Sequence, residues 1–411
     1  MARKHWVPVH RWAGLVIALF IFITGLTGSI IAFRDELDAL INPELFRVVE
    51  RDASPLGPTE LATKVESALP GAQVSFVYVA FEAGHSTRVL VQPGRDPVTG
   101  KRPVLDYDEV FVDPYDGKVL GKRKRRGIGP GRAHIMPIIY ETHRTLLAGP
   151  IGKWFLGIIA LVWMLDSFVG FYLTLPVAIK RGQSRAKGAS PPPGKSFWQR
   201  WKHAWKIKWG AGLYRTQFDL HRAGGLWLWI VFFTLALTSV HLNLQWVKPV
   251  LQQAGPVTPS PFETLPRAAD SHSPPGLDYD RALLVAATKL PDGIAGLEPL
   301  VIGYLRAQRS YYVYFRPTKS NNIPRVRFEQ VFIDADTGSL QAGVGYDHGT
   351  TADKVLAWQF PLHTGQILGL PGRITISVAG LVAALLSFTG VYIWWKKRKP
   401  RTTHHKAALT R

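Results

Sequence analysis

The chain has 411 residues, a formal net charge of +21 and no cysteine. The lack of cysteine excludes thiolate-ligated iron–sulfur clusters, covalent c-type haem attachment and disulfide redox chemistry. Its three methionines argue against a methionine-rich copper site.

Four apolar segments, each about 20 residues long, predict membrane-spanning helices. At about 1.5 Å per residue, such a helix crosses a hydrocarbon core roughly 30 Å thick. The segments are residues 12–33, 153–175, 223–246 and 374–395. The first is not expected to be a cleaved signal peptide, because it runs into Arg34-Asp35-Glu36 and not into a small-residue cleavage site.

The excess of Lys and Arg lies in segments 1–11, 176–222 and 396–411, where the sole acid is Asp219. The positive-inside rule places these segments in the cytoplasm. The predicted organisation is a first span with a cytoplasmic N-terminus (1–33), an outside domain (34–142), a second span (143–175), a basic cytoplasmic loop (176–222), a third span (223–246), a second outside domain (247–362), a fourth span (363–395) and a basic cytoplasmic tail (396–411). Because the basic residues flank spans, we expect a lipid bilayer and no nucleic acid as partner.

Each outside segment has the pattern of a small α+β domain. Helical spacing of apolar residues is followed by short runs of β-branched and aromatic residues. The predicted elements are a helix at 58–69 and strands at 74–80, 89–92 and 110–113, then a helix at 279–290 and strands at 300–304, 311–316 and 331–334.

An internal repeat relates the two halves of the chain. His10-Arg11 recurs as His221-Arg222 after 211 positions, and His143 recurs as His363 after 220. Residues 110–113 likewise recur at 331–334. Nearly constant offsets indicate a duplication. The sequence therefore predicts an α+β membrane protein with four transmembrane helices in two parallel repeats, each with an α+β outside domain.

The repeated histidines predict two haem sites, one on each side of the bilayer. Haem iron in a helix bundle is commonly held by two imidazoles from facing helices. His10 would pair with His221 on the cytoplasmic side, and His143 with His363 on the outer side. A duplication could also preserve these histidines for packing, and a histidine at a helix end could instead contact lipid headgroups.

Other polar residues near the spans are secondary candidates. Arg11 and Arg222 could meet the haem propionates. His241 has no histidine counterpart, yet it lies about 30 Å beyond His221 along a straight helix, so it could replace an outer ligand. Asp166, the only acid within a span, could mark a proton or quinol path or make a packing hydrogen bond.

Two features of the outside segments could serve an acceptor. The basic run 122–126 could attract anionic lipid or an anionic substrate, or be a solvated loop. A docking surface between the two outside domains could include aromatic side chains that are otherwise typical of a core, namely Tyr304, Tyr311, Tyr312 and Trp246.

Several motifs in both halves carry a resemblance to a known family. They are His10-Arg11-Trp12 with Gly14, Thr24-Gly25, Thr27-Gly28, Val112-Asp113 with Gly117, His143, His363 and Ser387-Phe388-Thr389-Gly390. With them, the chain resembles the PepSY-associated transmembrane family, the iron-regulated membrane proteins of bacterial inner membranes. One departure is Val169-Gly170 in the second span, where the fourth has Thr389-Gly390.

Within that family, the chain is similar to haem-binding inner-membrane reductases that release iron from ferric siderophores. The resemblance implies PepSY-like periplasmic domains and two b-type haems per chain. It also implies a quinol or other membrane electron donor and a ferric siderophore as acceptor. The haem ligands would be His10, His221, His143 and His363, with His241 as the substitute.

Other functions remain open on the sequence. A transporter for a siderophore or metal would also have duplicated spans. A scaffold could act through the outside domains, and a haem conduit could serve another periplasmic redox partner. Bound haem would disfavour the transporter and the scaffold.

Overall fold

The computed structural model describes residues 3–95, 100–177, 196–244, 252–270, 273–290, 296–318, 326–347 and 349–398. Helices and an antiparallel sheet form two compact units. The helical unit comprises Met1–Ala32, Thr142–Leu244 and Arg373–Arg411, and the sheet unit comprises Phe33–Glu141 and Gln245–Gly372. The helices are α1 Arg3–Ile31, α2 Arg34–Ile41, α3 Pro43–Phe46, α4 Pro58–Ala68, α5 Ile135–Thr145, α6 Gly149–Thr174, α7 Phe197–Trp201, α8 Leu213–Trp227, α9 Trp229–Asn243, α10 Pro261–Thr264, α11 Tyr279–Ala287, α12 Thr351–Thr364 and α13 Gly369–Arg398.

Three helical segments in the described chain are long and apolar enough to cross a membrane. They are α1, α6 and the segment Gln366–Arg398, which contains α13. The pair α8 and α9 passes the same test only when the two helices are taken together as one bent span. The chain is therefore a multi-pass membrane protein, with three spans or up to four by length and composition.

The region of the third predicted span, 223–246, does not form one straight helix. The structure has two helices there, α8 and α9, which meet at Leu228 and are bent by 69°. The pair Gly224-Gly225 lies one turn before the bend, and adjacent glycines weaken a helix at such points. The Trp229 indole fixes the start of α9 by donating a hydrogen bond to the Ser167 carbonyl at 2.9 Å. Residues 245 and 246 lie outside the described part of the chain.

Helix α1 begins at Arg3, well before the predicted span. The Arg3 guanidinium donates to the carbonyls of Leu173 and Leu175. These carbonyls lie at the C-terminal end of α6, where backbone acceptors lack helical partners and a cation is favourable. His10 therefore lies inside a helix that packs along α6, and not at a free helix end.

Small residues let α1 and α13 cross closely. A Cβ added at Gly25 would lie 2.6 Å from the Gly380 carbonyl oxygen, so no larger residue fits there. Next to this contact, the Ser29 hydroxyl donates to the Ser377 carbonyl at 2.7 Å, and the Ser377 hydroxyl donates back to the Ser29 carbonyl at 3.1 Å. Small residues and interhelical hydrogen bonds are the usual means of helix association in a bilayer.

His143 and His363 lie on short helices that precede the spans. His143 is on α5, which is separated from α6 by Leu146 and Leu147 in the left-handed conformation. His363 is on α12, which ends at Gly365 with a φ of 74°. The turns explain why the histidines are not part of the long apolar helices.

The sheet unit contains one eight-stranded antiparallel sheet. Its order is β4-β3-β2-β1-β5-β6-β7-β8, and its strands are β1 Ala72–Tyr78, β2 Thr87–Pro93, β3 Glu109–Val112, β4 Val119–Arg123, β5 Leu297–Leu305, β6 Ser310–Pro317, β7 Glu329–Asp334 and β8 Leu340–Gly345. Strand β1 pairs with β5, with Val77 opposite Ile302. The two outside domains, predicted as separate units, therefore share a sheet. The prediction missed the edge strands β4 and β8, whose short glycine-containing sequences lack a β-strand pattern.

The larger core of the sheet unit packs against one face of the sheet. Helices α4 and α11 bury Val65, Ala282 and Ala286 against residues of β1, β5 and β6. Tyr304 and Tyr311 belong to this core, and Tyr312 is buried on the opposite face. Burial raises the pKa of Tyr311 and Tyr312, which therefore remain neutral phenols. These tyrosines do not line a docking surface between two domains, and Trp246 lies outside the described residues.

The basic run 122–126 is not simply a solvated loop, because Arg123 is buried at the end of β4. Its guanidinium donates to both carboxylate oxygens of Asp38, at 2.8 and 3.0 Å, and to Glu109 at 2.9 Å. Bidentate pairing of this kind is the strongest that an arginine makes. The Arg123 guanidinium is thus paired with carboxylates inside the sheet unit and cannot attract a substrate.

Candidate functional site

His10 contacts helix α6 through an acid and a glycine. The His10 imidazole donates from Nδ1 to Oδ2 of Asp166 at 2.8 Å. One turn further along α6, a Cβ added at Gly170 would lie 3.3 Å from Cε1 of the same ring. Asp166 is only 8% exposed, so this carboxylate is held within the helical unit. The acid in the second span is therefore the partner of the first histidine.

His221 contacts α13 in a related way. Its Nδ1 donates to the Leu386 carbonyl at 3.0 Å and lies 3.1 Å from the Thr389 hydroxyl oxygen. A Cβ added at Gly390 would lie 3.2 Å from Cε1 of the ring. The ring is thus fixed by one helix, with a glycine where a side chain would displace it.

His143 repeats the arrangement on α1. Its Nδ1 donates to the Thr24 carbonyl at 3.0 Å and lies 3.2 Å from the Thr27 hydroxyl oxygen. A Cβ added at Gly28 would lie 3.0 Å from Cε1 of this ring. We call each such arrangement a histidine seat, meaning an acceptor for Nδ1 and, four residues later on the same helix, a glycine against Cε1.

The seats fix the tautomer of the three histidines. A carboxylate or a carbonyl oxygen can only accept, so the ring proton lies on Nδ1 of His10, His143 and His221. In the neutral imidazole the lone pair then lies on Nε2, the nitrogen that would bind a metal. Orienting a ligand histidine through a hydrogen bond at its other nitrogen is the usual arrangement around protein-bound metals.

The structure brings His10 and His221 together. Their ring centroids are 6.2 Å apart and their planes are inclined by 60°. A bond between a metal and an imidazole nitrogen is about 2 Å long, so two imidazoles on opposite sides of one iron have centroids about 6 Å apart. His10 and His221 are therefore the two residues that would hold a haem iron. Among the described residues, no group of three or more His, Asp, Glu or Cys is placed to hold a metal ion.

The seat of His143 lies far from this pair. His10 and the residues Thr24 to Gly28 are on the same helix, α1, so the two places are about 20–27 Å apart along its axis. This separation is comparable with the thickness of a bilayer core. The helical unit thus holds one histidine pair and one further seated histidine near opposite ends of a span.

The remaining predicted ligands are placed less completely. His241 lies on α9, and because of the bend at Leu228 the straight-helix separation of about 30 Å from His221 does not apply. His363 lies on α12 in the sheet unit. Whether either one partners His143 stays a prediction.

The two predicted propionate partners differ in their surroundings. Arg11 is exposed on α1. Arg222 forms an ion pair with Asp219 at 2.8 Å and donates to the carbonyls of His203 and Ala204. Arg222 therefore anchors α8 to the segment before it, so a propionate would compete with these existing contacts.

Sequence reasoning did not identify the seats, although one signal for them was present. Thr27-Gly28 and Thr389-Gly390 were noted only as motifs of a resemblance. In each motif the threonine lies three residues and the glycine four residues after the residue whose carbonyl accepts from Nδ1, and positions three and four apart share a helix face.

Comparison with known proteins agrees with this architecture. A model of the PepSY-associated TM region matches residues 7–397, nearly the whole chain. The chain belongs to this family. It is therefore a membrane protein of the iron-regulated type, with a lipid bilayer as its partner. No curated protein matches the chain significantly.

Proposed function

We propose that this protein is a di-haem b-type reductase of the bacterial inner membrane, which reduces ferric siderophores in the periplasm and releases their iron. The observation that carries the proposal is the pair His10 and His221, whose rings are each anchored at Nδ1 and lie 6.2 Å apart. The second seat, at His143, supports another haem near the other end of α1.

The orientation in the membrane follows from the charges. Four spans in two parallel repeats, the finer form of the architecture, would place both basic termini and the basic segment 176–222 in the cytoplasm. His10 would then lie near the cytoplasmic face, and the PepSY-like outside domains would lie in the periplasm. His143 would face the same side as those domains, with His363 or His241 as the second ligand.

The reaction is a one-electron reduction of the iron chelate. Two b-type haems would supply electron transfer across the bilayer when bound. Each ferric chelate takes up one electron, and a quinol that supplies two electrons and releases two protons would serve two chelates. Hydroxamate and catecholate oxygens hold ferrous iron more weakly than ferric iron, so reduction loosens it.

The residues of the chain position and insulate the electron path. The seats hold His10, His221 and His143 in one tautomer, which avoids the cost of reorienting a ring at each transfer. Apolar side chains, among them Ile17, Ile21, Phe232 and Ala379, form a buried cluster in the helical unit. Such a cluster excludes water between the two histidine positions.

The test is the visible spectrum of the detergent-purified protein, oxidised and dithionite-reduced, with a pyridine haemochrome count. We expect a reduced b-type α-band and two haems per chain, reoxidised by a ferric siderophore. The matched control is the gallium siderophore, which has the same shape and charge but accepts no electron at these potentials. A protein that stays colourless after haem supplementation contradicts the proposal and favours a transporter or scaffold.

A further inference from the structure

The two imidazoles of the pair His10 and His221 have chemically different partners. His221 donates to a neutral carbonyl, that of Leu386, beside the Thr389 hydroxyl. His10 donates to the carboxylate of Asp166. The position that matches Thr389 in the second span is Val169, which has no hydroxyl. The repeats are therefore unequal at the point where they touch the histidines.

The carboxylate of Asp166 is unfavourable in free energy at this buried position. It lies in an apolar span, its side chain is 8% exposed, and its Oδ1 has no hydrogen-bond partner among the described residues. A carboxylate in such a medium is costly unless a positive charge lies close by. Helix packing alone does not call for this cost, because Leu386 at the matching position supports His221 with its backbone.

A carboxylate that accepts a hydrogen bond from an imidazole changes how strongly that imidazole binds a metal. It attracts the Nδ1 proton and makes Nε2 a stronger donor to a metal. It also places a negative charge on the opposite side of the imidazole ring from the metal position. In the apolar interior, the attraction between this charge and the metal is only weakly screened. Both effects favour ferric over ferrous iron, since the ferric form carries one more unit of positive charge.

We infer that Asp166 is a positioning residue that lowers the midpoint potential of the haem held by His10 and His221. This inference rests on the proposed function. His143 donates from Nδ1 to the neutral carbonyl of Thr24, so no carboxylate acts through that nitrogen. The carboxylate makes the His10 site the stronger reductant, and transfer towards the His143 site runs downhill.

The first test is potentiometric titration of Asp166→Asn, which keeps an oxygen acceptor of the same shape and removes the charge. We expect the ferric-to-ferrous equilibrium of one haem to shift at least tenfold towards ferrous, which for one electron is about 59 mV upward. The other haem should not move. Asp166→Glu, which restores the charge, should return the potential most of the way.

The matched variant is Thr389→Val, which removes the uncharged partner of His221 and leaves the Leu386 carbonyl in place. It should shift the potential much less than Asp166→Asn. Equal shifts, or none in either variant, would overturn the inference while leaving the proposed function intact.

A second measurement avoids replacing Asp166. His143→Ala should retain only the haem at His10 and His221, and its potential should be the lower of the two found in the parent protein. If the retained haem has the higher potential, the inference is wrong. A parent protein without haem overturns the proposed function itself, so the two failures are distinguishable.

Discussion

The sheet unit and the helical unit both bury polar side chains, but they satisfy them differently. In the sheet unit, Arg123 bonds to Asp38 and Glu109, and Arg88 lies 4.0 Å from Glu109, so the buried carboxylates have cationic partners within the protein. In the helical unit, the described residues give His10 and His221 a hydrogen bond only at Nδ1. Ion pairs such as those of Arg123 stabilise the sheet unit. An imidazole that is held only through Nδ1 has Nε2 in place to bind a metal.

Replacement of a predicted ligand histidine should have the largest effect, a loss of haem from the helical unit. His10→Ala or His221→Ala removes one axial nitrogen of the pair, so we expect the haem count to fall from two to about one per chain, with the remaining haem still low-spin. Pyridine haemochrome and reduced-minus-oxidised spectra measure this. His5→Ala, at an exposed position on the same helix, is the control and should keep both haems. Loss of haem in the control alone would contradict the assignment.

The ion pairs of Arg123 in the sheet unit should show the next largest effect. Arg123→Met removes the guanidinium that bonds to the buried carboxylates of Asp38 and Glu109, which should cost about 3–5 kcal/mol of unfolding free energy. Chemical unfolding of the purified protein, followed by fluorescence, measures the change. The comparison variant is Arg132→Met, whose ion pair with Glu44 is exposed and should contribute less than about 1 kcal/mol. The visible spectrum should not change in either variant. An equal loss of unfolding free energy in the two variants would show that the buried ion pairs of Arg123 stabilise the protein no more than an exposed one.

The glycines of the seats should give a smaller effect on haem binding. An added Cβ at Gly170 would lie 3.3 Å from the ring of His10, and the ring must move by a few tenths of an ångström. We expect Gly170→Ala to weaken haem binding about tenfold, in the range seen for residues that orient metal ligands. Haem transfer to apomyoglobin measures the affinity. Ser167→Ala on the same helix, where the hydroxyl donates only to the Met164 carbonyl, should bind haem as the parent does.

The smallest effect is expected at the hydroxyl of Thr27. Thr27→Val removes an oxygen 3.2 Å from Nδ1 of His143 and leaves the Thr24 carbonyl in place. We expect a loss of about 0.5–1.5 kcal/mol in haem binding, the usual worth of one neutral hydrogen bond. Thr24→Val is the matched control, because the Thr24 hydroxyl donates to the Phe20 carbonyl and not to the histidine. A larger loss in the control would assign the effect to helix stability.

The sequence predicted what depends on composition and repetition. The sequence match between His10 and His221 identified two positions whose ring centroids lie 6.2 Å apart in the structure. The apolar lengths predicted the α1, α6 and α13 spans. Helix α4 was predicted to within one residue, since its apolar spacing and Pro58 start are local signals.

What the sequence did not predict depends on neighbours. The acceptor of His10 is an acid 156 positions away, and no local pattern shows which helix α1 will pack against. His241 was placed by assuming a straight helix, an assumption that fails at Leu228. The pairing of β1 with β5 was missed because the residues of a strand show which face is buried but not which strand lies beside it.

The pairing of β1 with β5 also sets the order of events when the protein is made. Val77 and its partner Ile302 are separated by α5, α6, α8 and α9, so the sheet cannot close until those helices have been synthesised. At ribosomal speeds of about 5–20 residues per second, β1 waits roughly 10–45 s with an unpaired edge. An unpaired edge is a template for aggregation. Biogenesis of this protein should therefore depend on a chaperone that covers the first half of the sheet until the second half arrives.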